Sequence, residues 1–275
     1  MLRIGRIEYA NCTPIFHALH ELFDVHGEYE YVGGVPSSLN RMLAAAEIDV
    51  CPSSSIEFAF HPDKHLIIPE LSISSCGPVQ SVLLFATIPI EELGGKEILL
   101  SSESATSVNL LKILIKKRYN LDCMFRVTSK GLSAALLEAP AVLLIGDPAL
   151  RAVQSAHNVH VYDLGELWYQ WTGTPFVFAL WLVSRNAYEQ KSEELRKFVR
   201  RVWKAREYAL RHLDQIAESS QDALWMGCDN LLQYWRKNIS YELTPAHIEA
   251  VSTFFDFAEE MKLITAAPRL SFIDL

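Results

Sequence analysis

The chain has 275 residues, half of them apolar and 21% charged, with a net charge of −8. It is long enough for one or two domains around a large core, and too apolar to be disordered. The acidic balance excludes general affinity for nucleic acid or acidic membranes, so an anionic ligand must meet local positive charge, such as a helix N-terminus.

Residues 2–7 (LRIGRI) alternate apolar and basic side chains and predict a first strand. Asn11, Cys12, Thr13 and Pro14 follow; Thr13 before Pro14 predicts an N-cap, and Ile15, Leu19 and Leu22 share one face of a helix over 15–23. His17 and His20 stand one turn apart, with no third ligand at a recognisable metal spacing. A short strand over 28–33 leads to Val35-Pro36-Ser37-Ser38, which opens a helix to about residue 46. The strand over 48–51 (IDVC) runs into Pro52, Ser53, Ser54 and Ser55, and then a helix over 56–60. Three hydroxyls exceed what one helix cap needs, so these serines are candidates for holding an anion as much as for capping.

A surface loop over 61–65 places His61 and His65 around Pro62-Asp63, a poor arrangement for a metal. Strands over 66–74 and 79–87 are joined by Ser75-Cys76-Gly77-Pro78, and Ser81 is a polar side chain in the second, largely apolar one. Residues 97–100 (EILL) predict a strand before the stretch 101–119, SSESATSVNLLKILIKKRY, a hydroxyl-rich turn followed by an apolar helix ending in Lys116, Lys117 and Arg118. Ser104, Thr106 and Ser107 can cap that helix or turn outward to an anion at its partly positive end.

A strand over 123–127 and a small helix over 131–138 come next. Residues 141–145 (AVLLI) have the unbroken apolar character of a strand buried on both faces. Gly146 and Asp147 turn it into a helix: Gly146 permits close backbone approach, and Asp147 before Pro148 suits an N-cap better than a catalytic acid. A strand over 159–162, a helix over 163–171 stopped at Thr172-Gly173-Thr174-Pro175, and an apolar strand over 176–183 follow. Trp168, Trp171 and Trp181 fit a core, or an aromatic wall beside a ring-shaped ligand.

From Tyr188 the periodicity is helical. Leu195, Phe198, Val199, Val202 and Leu210 form a stripe, and further helices are expected over 223–235 and 245–263, the last opened by Thr244-Pro245. Basic residues around the stripe, among them Arg196, Arg200 and Lys204, fit a solvated face in this acidic chain. Five scattered cysteines, none in a CxxC pair, predict reduced thiols rather than a disulfide framework or zinc site. No signal-like run opens the chain and no window holds about 18 uncharged apolar residues, so a cytoplasmic protein without a membrane span is expected. Without a GxGxxG, Walker loop, GxSxG elbow or metal motif, nucleotide, serine-hydrolase and metal chemistry lack local support.

Strands alternating with helices to about residue 183, then helices alone, predict α/β sheets under a helical C-terminal cover. Ligands of open α/β sheets bind beyond the carboxyl ends of strands, the edge that carries 11–13, 53–55, 102–107 and 146–147. The simplest arrangement is two lobes facing a cleft, with lobe one formed by 1–86 and 180–275 and lobe two by 87–179. Hydroxyls and helix N-termini from both lobes then grip one small carboxylate.

The segments that carry a family resemblance run in order. They are Gly5-Arg6-Ile7 through Asn11-Cys12-Thr13-Pro14, Gly34-Val35-Pro36 with Leu39-Asn40, Ile48-Asp49-Val50 into Ser53-Ser54-Ser55-Ile56-Glu57, and Gly77-Pro78-Val79-Gln80-Ser81-Val82. The run continues with 104–111, LIGDPAL at 144–150, YDLG at 162–165, and the block TGTPFVFALW at 172–181. Together they resemble the chorismate dehydratase family of the futalosine route to menaquinone over about residues 3–185, while the helical tail matches only in character.

The resemblance implies a two-lobed fold similar to type II periplasmic binding proteins, expected here without export. It also implies conversion of chorismate to 3-[(1-carboxyvinyl)oxy]benzoate with loss of water. On the matching positions Asn11 and Ser81 become the catalytic candidates. Ser53, Ser54, Ser55, Ser104, Thr106, Ser107, Gly146 and Asp147 become the substrate-binding ones. No general base is conspicuous, so the substrate's own side-chain carboxylate is expected to take the ring proton. Chorismate is the expected partner of a monomer or homodimer, with no metal, cofactor, nucleic acid or membrane. The 1,4-dihydroxy-6-naphthoate synthases of the same route share the fold but carry a histidine base just after the strand matching 141–145, where this chain has Gly146-Asp147. A non-catalytic cytoplasmic carboxylate-binding protein is the alternative from another class.

Overall fold

The computed structural model describes residues 1–23 and 27–274. The chain begins β1 (Leu2–Ile7), α1 (Thr13–Phe23), β2 (Tyr29–Gly34), α2 (Pro36–Ala44), β3 (Val50–Ser54), α3 (Ser55–Phe60) and β4 (His65–Ser75). It then crosses to β5 (Val82–Ala86), β6 (Glu97–Ser101), α4 (Ala105–Ile113), β7 (Met124–Thr128), α5 (Leu132–Leu136), β8 (Ala141–Ile145), α6 (Gly146–Ser155), β9 (His160–Asp163) and α7 (Leu164–Thr172). It returns as β10 (Phe176–Ser184), followed by α8 (Arg185–Gln190), α9 (Ser192–Arg211), α10 (Leu213–Ser219), α11 (Ala223–Met226), α12 (Cys228–Lys237) and α13 (Pro245–Glu260).

Two five-stranded sheets result, one in the order β2-β1-β3-β10-β4 and the other β7-β6-β8-β5-β9. β1 pairs in parallel with β2 and β3, and β6 with β7 and β8, while β10 and β5 run antiparallel to their neighbours. Sheet membership changes in residues 76–81 and again between α7 and β10. Both changes come earlier in the chain than the expected lobe limits at 86/87 and 179/180: β5 pairs in the second sheet and Phe176–Ser184 in the first. The expectation followed apolar runs, and an apolar run does not say which sheet it joins.

β10 is the buried spine of the first sheet, with every one of its residues covered. Fully burying each Val, Leu or Phe side chain contributes roughly 1.5–3 kcal/mol, so this strand anchors the core. β4 lies on the outer edge and carries a bulge, the register against β10 jumping from Ile67 to Ser72 across two residues. Pro69 cannot donate to a ladder and Glu70 stands at φ 62, which together break the regular pairing. Trp203 of α9 donates Nε1–H to the Pro69 carbonyl at 3.0 Å, and Arg206 donates to the Glu70 carbonyl. The bulge is therefore held by the helical cover. Isolated bridges from Ser240 and Phe272 protect the rest of that edge.

Several local expectations shift. Thr13 is the first residue of α1 rather than its cap, and its Oγ1 donates to Asp222 Oδ2 at 2.6 Å. Ser53 and Ser54 belong to β3 rather than to a turn, whereas Ser81 lies just before β5 instead of inside it. The helix expected to reach Tyr119 keeps α-geometry to Ile113 and then widens over Leu114–Arg118. Arg118 of the wide turn donates to the Leu167 carbonyl and to Gln170 Oε1, fastening it to α7. The single helix expected over 223–235 is broken at Gly227, whose φ of 80 suits glycine. His65 is not in a loop; it opens β4 and is buried. Among the described residues, no helix is long and apolar enough to cross a membrane.

Candidate active site

Between the sheets lies a cavity with about 530 Å³ of empty space, part of it open to solvent. Its apolar wall comes from Ile7, Ile73, Val79, Val82, Ile145 and Phe178; its polar groups are Tyr9, Asn11, Cys12, Ser54, Ser81, Ser104 and Ser107, and Pro36, Gly146 and Ala179 complete the lining. Among the described residues, no charged side chain lines it. An anionic ligand there must therefore be held by hydroxyls, backbone N–H groups and the N-termini of α4 and α6.

Asn11 sits on a turn fixed from every side. Cys12 N–H donates to the Tyr9 carbonyl at 2.8 Å, Ala10 N–H to Asp147 Oδ1 at 3.0 Å, Trp235 Nε1–H to the Ala10 carbonyl at 2.7 Å, and Tyr241 Oη–H to the Asn11 carbonyl at 2.8 Å. Against that held backbone, Asn11 Oδ1 is buried with no hydrogen-bond partner among the described residues, an open acceptor in a preformed site. Ser81 is 2% exposed and accepts from Tyr234 Oη–H at 2.9 Å; among the described residues its own hydrogen has only the Val79 carbonyl, at 3.4 Å. That contact is longer than a usual hydroxyl hydrogen bond, so the Ser81 proton is available to a ligand.

Asp163 shapes the same turn from beneath. Its carboxylate accepts from Val79 N–H at 3.1 Å and Gln80 N–H at 2.6 Å, and it also caps α7 through Gly165 and Glu166. Gln80 is thereby held at φ 59, which turns the chain so that Ser81 enters the cavity. Opposite, Ser104 caps α4 by accepting from Ser107 N–H at 3.3 Å, and its Oγ donates to Ser107 Oγ at 3.1 Å. Gly146 takes φ 61, where a Cβ would stand 2.6 Å from the Tyr9 ring; its N–H donates to the Ser81 carbonyl at 2.7 Å.

Of the expected site residues, Asn11, Ser54, Ser81, Ser104, Ser107 and Gly146 come together around the cavity. Ser53, Ser55, Thr106 and Asp147 are not among its lining residues. Alternation along β3 turns Ser53 to the face opposite Ser54. Ser55 Oγ and Thr106 Oγ1 meet at 3.3 Å, and Thr106 Oγ1 also accepts from Ile56 N–H at 3.2 Å, so these two hydroxyls fasten α3 to α4. Asp147 holds the Asn11 turn through Ala10 rather than capping its own helix. Burial, aided by the nearby Asp222 charge, pushes its pKa from the ordinary 3.8 up to about 6 against the Ala10 hydrogen bond and Arg151. The tryptophans stay out of the cavity: Trp168 and Trp181 are in the core, and Trp171 stacks on Phe257 at 4.9 Å.

The structure adds residues that the sequence did not mark. Tyr9 donates to Glu103 Oε2 at 2.6 Å, and the Glu103 carbonyl accepts from Ser37 N–H at 3.1 Å, which clasps the two sides of the cleft. Burial first, and then the Glu103 hydrogen bond, push the Tyr9 phenol well above its usual range, so it stays a donor. Burial likewise pushes the Cys12 thiol well up, which leaves it neutral and a weak nucleophile. Glu103, an acid amid the serines of SSES, was the one visible signal for the clasp.

A model of the menaquinone biosynthesis family matches residues 2–260. A curated chorismate dehydratase of Thermus thermophilus is 33% identical over 256 residues, covering 87% of this chain and 89% of the relative. Another, from Campylobacter jejuni, is 31% identical over 179 residues, 64% of each chain. Among solved structures, a protein of Archaeoglobus fulgidus aligns with a TM-score of 0.80 at 21% identity, covering 96% of this chain and 98% of that one. The periplasmic aliphatic sulphonate binding protein of Escherichia coli aligns at 0.68 and 15% identity, over 100% and 94%. The two-sheet architecture with its central cleft is thus the fold of periplasmic binding proteins, and the chain belongs to the menaquinone biosynthesis family.

Proposed function

We propose that this protein is a chorismate dehydratase, a hydro-lyase that converts chorismate to 3-[(1-carboxyvinyl)oxy]benzoate and water in the cytoplasm. The observation that carries the assignment is the 33% identity to the Thermus thermophilus chorismate dehydratase along 87% of the chain. The cavity is compatible with it. A substrate with two carboxylates, a hydroxyl and a carbocyclic ring needs an apolar wall with hydroxyls and helix N-termini, and the lining supplies both.

Loss of water aromatises the ring, so the driving force is built into the substrate and the protein has mainly to position groups and pass a proton. In the proposed step the C–H bond at the ether-bearing ring carbon breaks and its proton goes to the substrate's own side-chain carboxylate. The electron pair becomes a ring double bond, the neighbouring C–O bond breaks, and the leaving hydroxyl takes that proton from the carboxyl group to depart as water, which restores the carboxylate. The open acceptor at Asn11 receives the substrate hydroxyl hydrogen, while Ser81 donates to the hydroxyl oxygen or the carboxylate. Ser54, Ser104, Ser107 and the N-terminus of α4 orient the carboxylates, while Gly146 spends its N–H on the Ser81 carbonyl and holds that turn; a helix N-terminus contributes about 0.3–1 kcal/mol per exposed charge, up to about 2 when partly buried, enough to orient rather than to catalyse. Ser55, Thr106 and Asp147 support this site from behind. Asn11→Ala and Ser81→Ala variants that keep the wild-type Tm are expected to lose kcat on chorismate by at least about tenfold each, the worth of one hydrogen bond of about 1.4 kcal/mol in the transition state. Full turnover in both would remove these two residues from the mechanism.

A further inference from the structure

Helix α12 lies within the family match over residues 2–260 but beyond the motifs that carry the sequence resemblance, and side chains from it and from Asn238 just after it reach the turns that carry both catalytic candidates. Tyr234 Oη–H donates to Ser81 Oγ at 2.9 Å, Trp235 Nε1–H to the Ala10 carbonyl at 2.7 Å, and Asn238 Nδ2–H to the Pro78 carbonyl at 2.9 Å. Tyr234 and Trp235 are buried, at 0% and 1% exposure. The Ala10 carbonyl precedes Asn11, and the Pro78 carbonyl opens the turn that ends at Ser81. One helix thus sets the distance between two groups that arrive on separate segments of the chain.

We propose that Tyr234 is a positioning residue of the dehydration step, fixing Ser81 as a hydrogen-bond donor into the cavity. A serine hydroxyl carries one hydrogen and two lone pairs. Donation from Tyr234 occupies one lone pair, and it excludes the rotamer state in which Ser81 would give its hydrogen to the phenol oxygen. The remaining direction for that hydrogen is the Val79 carbonyl, at 3.4 Å and easily exchanged for a ligand oxygen, or the ligand itself. Tyr234 keeps its proton over any working pH, because burial pushes its phenol well above the usual range. It does not line the cavity, so its effect passes through Ser81 alone.

This inference rests on the chorismate dehydratase assignment and on Ser81 acting in it. The test is a double-mutant cycle in kcat and KM on chorismate with the wild type, Tyr234→Phe, Ser81→Ala and the double variant, each checked for its Tm. Tyr234→Phe is expected to lower kcat about tenfold with KM within about twofold. The double variant is expected to be no slower than Ser81→Ala, because residues acting as one unit are not additive. A Tyr234→Phe variant with full kcat overturns the inference while leaving the function intact. The same tenfold loss in the Ser81→Ala background also overturns it, since Tyr234 would then act by another route. A fall in Tm with unchanged kcat marks a purely structural tyrosine and overturns it as well. Wild-type protein with no turnover overturns the functional assignment and this inference together.

Discussion

Replacing Gly146 with alanine probes its packing against the Tyr9 ring. The residue sits at φ 61, where a side chain is disfavoured by about 1–2 kcal/mol. Its new Cβ would stand 2.6, 2.7 and 2.9 Å from three atoms of the Tyr9 ring, closer than carbon atoms tolerate. The ring cannot simply retreat, because its hydroxyl is tied to Glu103 at 2.6 Å. Overpacking of this kind adds about 1–3 kcal/mol, for a total of about 2–5 kcal/mol. At roughly 2 °C per kcal/mol for a chain of this length, the Tm should fall by about 4–10 °C. Relief by moving Tyr9 breaks the clasp and shifts the neighbouring Asn11, so turnover should fall in the fraction that stays folded. Differential scanning calorimetry and initial rates on chorismate check both effects. A Tm within about 1 °C of the wild type together with unchanged turnover would refute the packing of Gly146 against Tyr9.

Three further outcomes follow from the same geometry. Tyr9→Phe removes the donor to Glu103 across the cleft but keeps the ring; KM for chorismate should rise about tenfold or more with little change in kcat, given that a hydrogen bond to a charged group is worth about 1.5–3 kcal/mol and tenfold is about 1.4. A loss confined to kcat would instead make the phenol part of the chemistry. Asp147 holds its proton more tightly when folded, at about 6 against an ordinary 3.8, so its contribution to stability is present below the unfolded value and is lost as pH rises through 6. Asp147→Asn keeps an acceptor for Ala10 N–H without the charge; it should raise the Tm at pH 7.5 and leave it unchanged near pH 4, and an equal shift at both pH values would contradict the sign. Thr106→Val removes the hydroxyl shared by Ser55 and Ile56 N–H and should lower the Tm by about 1–3 °C with kcat retained, which a kcat loss without any Tm change would overturn.

The alternation of strands and helices is legible because local patterns encode it. Ala141–Ile145 is unbroken apolar sequence and becomes a strand covered on both faces, and 176–183 is the same case in the first sheet. The positions of Asn11, Ser54, Ser104, Ser107 and Gly146 around one cavity are legible too, since each follows or ends near the carboxyl end of a strand, whereas Ser81 stands just before β5 and only the family resemblance points to it. What stays hidden depends on partners distant in sequence. Ser55 and Thr106 look like ligand hydroxyls until they are seen to bind each other across 51 positions. Asp147 looks like a helix cap until Ala10, 137 positions away, is found on its carboxylate. Nothing local in the amphipathic pattern of α12 marks Tyr234 as a neighbour of Ser81, because burial of a tyrosine is the ordinary fate of an apolar helix face.

The central claim is turnover rather than binding, since the fold is shared with proteins that bind ligands. Incubating the purified protein with chorismate and following the products by liquid chromatography and mass spectrometry tests it most directly. Accumulation of 3-[(1-carboxyvinyl)oxy]benzoate, one for each chorismate consumed and abolished in the Asn11→Ala/Ser81→Ala double variant, is the predicted result. Chorismate that binds the folded protein and is recovered unchanged would make the protein a receptor and contradict the account; chorismate that does not bind at all would remove it as the ligand.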